Sequence, residues 1–501
     1  MEQPIQESSC PHRIILRDLS TEEKVTFSLM LIKGSIRIGN INSRCFNTQC
    51  SVIHLSNTTT NKTSEWPVVK NKFKCLADLS NGDNNIVLKF CKTTLEIKLH
   101  YSPRNTKFCV TPLYIICKDH NGHFQAPNNC DNSIDTACRK IGVGARLIQC
   151  LTAEKLYESG YERKTFQLER DINNPNEECV RFRSNLSVSE ARSMGQEELW
   201  TYFGREIMSS SLSSSKRKFL AFLSCTHWDG REKVVKAHAA LGGGGLALFG
   251  TGCLHTWPSV VEDVVTCFLD TTPVDTQYLM DDSCYRGTFG SCFSTTLGSV
   301  CHELGHTFDL GHPRQGIMGR GFDNVHLVFV AVTSGTVRAA NPRKTNPQCS
   351  TVTLVHNLNV ECVIGSPLKQ RSRTPARDPQ RPADGLDRVT NISNKQVEED
   401  DDLTYWSPGC AALLAFHRWF NTEQENLPKD DLHFDRSRLL LTGSAGVRVV
   451  EVRGPGGSVL GAWQFPGTRR RHQFLVPAQV LSGAQLIVAE DSNGNIIKAN
   501  V

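Results

Sequence analysis

The sequence predicts an α+β multidomain protein, with an N-terminal antiparallel β domain, a mixed α/β central domain and a small C-terminal β domain. Three observations predict it. Residues 12–118 hold β-branched runs such as VTFSLMLIKGSIRIG, NNIVLKF and TTLEIKLHY, separated by Asn, Gly, Asp and Pro clusters. Residues 133–323 mix helical spacing with short apolar runs of strand length. Beyond residue 430 the two-residue alternation returns in RLLLTG, VRVVEVRG, HQFLVP and QLIVAED. A chain of 501 residues also exceeds what one core usually supports. The boundaries read from these shifts are 1–125 for a β-sandwich-like domain, 126–323 for the central domain and 430–501 for the small β domain.

Composition excludes several classes. Apolar content of 39% and charged content of 21% suit a globular chain. A net charge of +5 over this length gives no warrant for a nucleic-acid partner. No apolar run approaches the length of a membrane span. The first twenty residues are polar, without the apolar core of a secretory signal, so the expected location is cytoplasmic or nuclear. The 20 cysteines form no Cys-x-x-Cys pair and read as reduced, mostly buried side chains.

In the central domain Asp135 to Leu156 has helical spacing, and KTFQLER (164–170) reads as a strand. A helix over 187–207 opens with Ser187 as N-cap and Glu190 three residues on, a capping box. FLAFLSCTHW (219–228), GGLALFGTG (244–252) and VVTCFLD (264–270) read as strands. After Asp323 regularity fades. Residues 324–403 are rich in Arg, Pro, Ser and Asn and include an acidic run from Glu398 to Asp402, which suggests an irregular insertion or linker. GCAALLAFHRWF, within 404–425, reads as a helix docking on the central domain.

The segment that carries chemistry is GSVCHELGHTFDLGHPRQGIMGRGFD (298–323). Residues four apart share a helix face, so His302 and His306 can offer nitrogens to one ion. Glu303 lies beside them, where a carboxylate can act as a base. On a straight helix His312 would sit roughly 15 Å beyond His302, so the helix must stop and turn back. That turn needs a left-handed residue, normally Gly; Asp309 stands there, one of the few other residues that accept this conformation at modest cost. Three imidazoles, an open position and an adjacent carboxylate are what a catalytic Zn²⁺ site needs.

The segment resembles the metzincin signature HExxHxxGxxH followed by a methionine turn. HELGHTFDLGH with GIMGRGFD is similar to a family of eukaryotic zinc metallopeptidases, some with a jacalin-like domain. The likeness covers about 185–323 and 409–420. It implies a metzincin-like catalytic domain with His302, His306 and His312 on zinc, Glu303 as general base and Met318 as a hydrophobic floor. Asp309 departs from the signature's Gly, and Met318 follows His312 closely, which requires a compact turn. The likeness also implies that GGLALFGTG is an exposed strand along which substrate lies, its glycine run (Gly242 to Gly245) admitting a close backbone. His227, His238 and His255 read as ordinary core or surface histidines.

The expected activity is zinc-dependent hydrolysis of peptide bonds in a peptide or protein substrate. The alternative is a non-catalytic module in which zinc staples the fold and the β domains bind a protein or glycan. Glu303 separates the two, because a structural site gains nothing from a base beside an open position. The insertion has its own test. Limited proteolysis is expected to cut first between Lys369 and Arg388 and to leave the metal site intact; protection there, with earlier cutting elsewhere, would reveal a folded unit.

Overall fold

The computed structural model describes residues 12–38, 51–172, 177–332, 404–421, 432–468 and 470–501. The insertion expected over 324–403 lies outside them from residue 333 onward. Its first residues are ordered, against expectation. NVHLVFVAV buries Val325, Val328, Phe329 and Val330, enough apolar surface to fold a short helix, His326–Phe329, into the core.

The N-terminal strands are β1 (His12–Arg17), β2 (Glu22–Val25), β3 (Leu29–Ile38), β4 (Val52–Asn57), β5 (Lys62–Val69), β6 (Lys72–Asp78), β7 (Gly82–Phe90) and β8 (Thr93–Tyr101). They form one sheet in the order β1-β3-β6-β5-β4-β7-β8-β2. Every pairing is antiparallel except that of β2 with β8. Alternate residues of β7 and β8 are buried, among them Ile86, Leu88, Ile97 and Leu99, as a half-covered sheet requires.

CVTPLYII departs from the expected grouping. As β9 (Cys109–Ile116) it leaves the N-terminal sheet and is buried at every position. It runs parallel to β10 (Val180–Arg183) and β11 (Arg217–Leu223). A strand buried on both faces belongs inside a sheet covered on both sides. With β14 (Ala240–Gly243) and β15 (Leu246–Gly250) these build a five-stranded sheet, β10-β9-β11-β15-β14, parallel except for β14 at the edge. β12 (His227–Asp229) and β13 (Val234–Lys236) form a separate hairpin.

Helices cover both faces. Leu113, Ile115, Phe219, Ala221 and Leu248 face α4 (Gln196–Met208) through Leu199, Phe203 and Ile207. Tyr114, Phe222 and Phe249 face the larger core, which contains α1 (Ile134–Glu158) and α6 (Phe289–Thr307). α1 starts at Ser133, whose hydroxyl accepts the Thr136 N–H. It is buried around nearly its whole circumference because the N-terminal sheet covers its outer side. Its polar residues are paired there: Arg146 with Asp78 and Ser28, Glu154 with Lys33 at 3.1 Å and with Arg163 at 2.7 Å.

Three local expectations change. KTFQLER is extended only as far as the single bridge of Leu168 to Val110, then turns into α2 (Glu169–Ile172). The capping box of Ser187 and Glu190 is present, but the helix it opens, α3 (Val188–Ser193), breaks at Met194 and Gly195 before α4. Gly195 restarts the helix as an N-cap, with Glu198 accepting its N–H at 2.8 Å. VVTCFLD is not a strand; it is α5 (Val264–Phe268), with Phe268 stacked on Phe293 of α6 at 4.1 Å. Its apolar run serves helix packing equally well, since run length alone does not separate the two.

α7 is the short helix His326–Phe329 noted above, and α8 spans Pro408–Phe416. In the turn after α8, Phe420 packs on Phe308 and Phe166 at 5.1 and 6.2 Å. The C-terminal strands are β16 (His433–Asp435), β17 (Leu440–Arg453), β18 (Val459–Gln464), β19 (Arg471–Leu475), β20 (Leu486–Asp491) and β21 (Ile496–Asn500). They form a six-stranded antiparallel sheet around β17. The described cysteines are thiols, most of them buried. Among the described residues no helix is long and apolar enough to cross a membrane.

Three histidines, His255 and His326 buried and His238 half-buried, set a pH dependence. Burial pushes His238, His255 and His326 each down to about 4. The unfolded chain therefore takes up protons first as pH falls. The stability these groups support is complete above about 6.5 and is lost as pH falls through about 4, on the order of 3 kcal/mol each. Denaturant unfolding of the metal-free protein should show this decline between pH 7 and 4; a flat profile would contradict the burial of these rings.

Candidate metal centre

The centre is built on the second half of α6 and the chain just beyond it. Thr288 caps the start of the helix, its hydroxyl accepting the Ser291 N–H. At the other end Phe308 N–H and Leu310 N–H both donate to Gly305 O, at 2.9 and 3.3 Å, and Asp309 adopts φ 64°. This is the left-handed stop expected at Asp309. Lys218 of β11 donates to Thr307 O and, at 3.1 Å, to Gly244 O, so a cation sits at the negative end of the helix dipole.

The turn brings His312 back to the helix. One nitrogen each of His302, His306 and His312 lies within 4.8 Å of the others, a spacing that could hold a metal ion. The ring centroids are 4.8, 5.3 and 4.4 Å apart. Each Nδ1 lies on a backbone carbonyl: His302 on Ile317 O at 2.8 Å, His306 on Leu310 O at 2.9 Å and His312 on Gly456 O at 2.8 Å. A carbonyl only accepts, so each Nδ1 carries the proton and each Nε2 presents its lone pair. His302 Nε2 and His306 Nε2 face each other at 3.1 Å, an arrangement of two lone pairs that a shared cation makes favourable. The donor set fits zinc: three imidazoles whose ring planes are held by backbone carbonyls at Nδ1, which leaves Nε2 to face an ion. Burial pushes His302 down to about 4 and His306 well below its ordinary value, despite the opposing backbone hydrogen bonds. Both rings are therefore neutral at pH 7.

Glu303, the next residue after His302 on α6, is buried. Burial raises its carboxyl to about 8, opposed by a hydrogen bond from the Gly242 N–H. A dication nearby would favour the carboxylate again. Gly242 belongs to β14, and this corrects the expected strand. GGLALFGTG supplies β15, an inner and mostly buried strand; the edge strand beside Glu303 is β14. The glycine run spans the β14–β15 turn, with Gly244 at φ 52°. Its function is close approach to α6, since a Cβ on Gly242 would lie 1.8 Å from Glu303 O.

Met318 is buried under the helix, where a Cβ on Gly305 would meet its sulfur at 2.6 Å. A Cβ on Gly298 would meet Phe322 O at 1.9 Å. The two helix glycines thus let the 316–322 segment lie directly against α6, and the Phe322 ring packs on His302 at 5.2 Å. Cys301 points away into the core. His255 lies in the core, and His227 and His238 are half-buried; none joins the cluster.

Comparison with known proteins now bears on the site. Residues 13–401 match the model of a family described as "Putative peptidase family". The chain belongs to this family. Two family relatives are each named "Putative zinc metalloproteinase". The one from Schizosaccharomyces pombe is 31% identical over 353 residues, covering 66% of this chain and 56% of its own length. The one from Saccharomyces cerevisiae is 28% identical over 311 residues, covering 54% of this chain and 44% of its own length. The chain thus spans about half the length of these relatives. The solved structure of wild type OgpA from Akkermansia muciniphila aligns over 80% of this chain and 94% of its own, with TM-score 0.41 and 11% identity, too loosely to carry an argument.

Residues beyond the family match also reach the site, and the sequence did not point to them. Asp309 carboxylate pairs with Lys498 at 2.5 Å and lies 3.7 Å from His417 Nε2. Arg453 donates to Asp309 O at 2.6 Å and pairs with Glu451, both buried. No local pattern relates positions so far apart.

The contact of β14 with α6 can be tested. Gly242→Ala should cost about 2 kcal/mol or more, because its methyl meets backbone that cannot yield. Gly244→Ala, strained in φ but facing open space, should cost only about 1 kcal/mol. Thermal unfolding compares the two; equal losses would mean that β14 does not press on the helix.

Proposed function

We propose that the chain is a zinc-dependent metalloendopeptidase with a metzincin-like site, in which His302, His306 and His312 hold zinc and Glu303 is the general base. The observation that carries this reading is the joint geometry of the cluster. Three imidazoles converge with their Nδ1 protons held by carbonyls, and the buried Glu303 follows His302 on the same helix, its carboxylate accepting from the Gly242 N–H. The left-handed Asp309, Met318 beneath the helix and the edge strand β14 support the metzincin-like comparison. The names of the relatives support peptide hydrolysis.

Bound zinc supplies Lewis acidity and lowers the pKa of water, the chemistry required to attack an amide. The chain's residues do the rest. The three backbone carbonyls hold the imidazoles in place, so no reorganisation is required during reaction. Glu303 takes a proton from the attacking water and delivers it to the leaving amine. The Gly242 N–H holds the carboxylate in place. An extended peptide is the substrate form that suits an edge strand. A glycan or protein partner for the β domains belongs to the same proposal.

Two substitutions separate base from ligand. Glu303→Ala should keep one zinc per chain and lose roughly 10²–10⁴ in turnover on a peptide library. His306→Ala should lose the zinc itself. Undiminished cleavage by Glu303→Ala would reject the mechanism and favour a structural metal site.

A further inference from the structure

We infer that the C-terminal sheet is a positioning element of the metal centre, aiming the third histidine through the Pro455–Gly457 turn. This inference rests on the reading that His302, His306 and His312 hold zinc. The carbonyls that orient His302 and His306 belong to Ile317 and Leu310, both close in sequence. The carbonyl that orients His312 belongs to Gly456, 144 residues away and outside the family match at 13–401.

His312 joins that sheet as if it were a further strand residue. Its N–H donates to Gly457 O at 2.8 Å, and its own carbonyl accepts from Val459 N–H at 2.9 Å. A parallel bridge pairs it with Ser458. The side chain then uses Gly456 O, so backbone and ring are held by one turn. Gly456 and Gly457 both have positive φ, 77° and 67°. Two left-handed residues in succession direct both carbonyls toward His312, a conformation a β-branched residue does not tolerate.

The approach to the turn is held as well. Arg453, at the end of β17, donates to Asp309 O at the helix stop, while its buried partner Glu451 holds the guanidinium at 2.6 Å. A Cβ on Gly311 would lie 2.6 Å from Arg453 Nε and 2.9 Å from Gly457 O, so the residue before His312 must be small. Lys498 of β21 pairs with the Asp309 side chain. One sheet therefore reaches both ends of the segment 309–312, and that segment decides where the third nitrogen points. Removing such support for a metal-ligating histidine typically costs 10–100-fold in metal affinity.

The experiment measures zinc alone, by competition with a chromogenic chelator, on the full-length chain. Gly456→Val should bind zinc roughly 10–100-fold more weakly than the parent protein. Gly467→Val, at a positive-φ glycine in the β18–β19 connection that faces open space, is the strain control and should bind normally. Wild-type affinity in Gly456→Val, or equal weakening in both variants, overturns the inference. His302→Ala isolates the reading beneath it. If that variant binds zinc like the parent, the zinc site itself is misassigned; if it loses zinc while Gly456→Val does not, only the positioning role fails. A second measurement needs no variant in the turn. In ¹⁵N-imidazole spectra of the metal-free protein, with His312→Ala for assignment, His312 should be the Nδ1–H tautomer. The Nε2–H tautomer overturns the inference even if Gly456→Val does not fold.

Discussion

Helix α6 must end at Thr307 for the three imidazoles to meet, and the left-handed residue Asp309 is what ends it. A helix continued to His312 would carry that ring far along the axis and off the shared face. The stop has a cost: it exposes the last carbonyls, and it places a carboxylate residue where glycine is easiest. The chain offsets both. Gly305 O accepts from Phe308 and Leu310, Lys218 caps Thr307, and Lys498 and His417 face the Asp309 carboxylate. Asp309 thereby contributes what glycine would not, an anchor by which the C-terminal sheet and α8 grip the bend. Together with His417, these charges hold its carboxyl well below the usual carboxylate range, even though burial pushes the other way.

The same economy governs the approach of other elements to the helix. Gly242, Gly298 and Gly305 each stand where a methyl group would collide with a neighbour. Small residues let β14, the 316–322 segment and Met318 lie directly against α6. The rings are held largely by backbone and not by long side chains. Backbone donors and acceptors keep their geometry because the strands and turns that carry them are fixed, so the three rings keep their mutual positions.

The N-terminal sheet contributes indirectly. It covers α1, which lies between that sheet and the parallel one, so α1 is buried almost all round and brings Arg146 and Glu154 into the interior. Unpaired, those charges would be very costly; paired with Asp78, Lys33 and Arg163 they lock the N-terminal sheet to the central layers. The sheet that carries the edge strand therefore rests on a rigid base.

What the sequence determined by itself was local. Spacing of four placed His302 and His306 on one face, the need to turn back identified Asp309, and alternation marked both β-rich ends. Ser187 and Glu190 were legible as a cap because capping joins residues three apart. Tertiary structure decided everything that joins distant positions. Cys109 to Ile116 moved from the N-terminal sheet to the centre of the next because burial on both faces depends on neighbours, not on the strand's own residues. Val264 to Phe268 became a helix for the same reason, and Ala240 to Gly243 replaced the expected edge strand because pairing, not composition, decides which strand is outermost. Gly456, Arg453 and Lys498 reach the centre only through the docking of the C-terminal sheet. A backbone carbonyl has no signature in its residue type, so the partner that aims His312 could be found only in the folded chain.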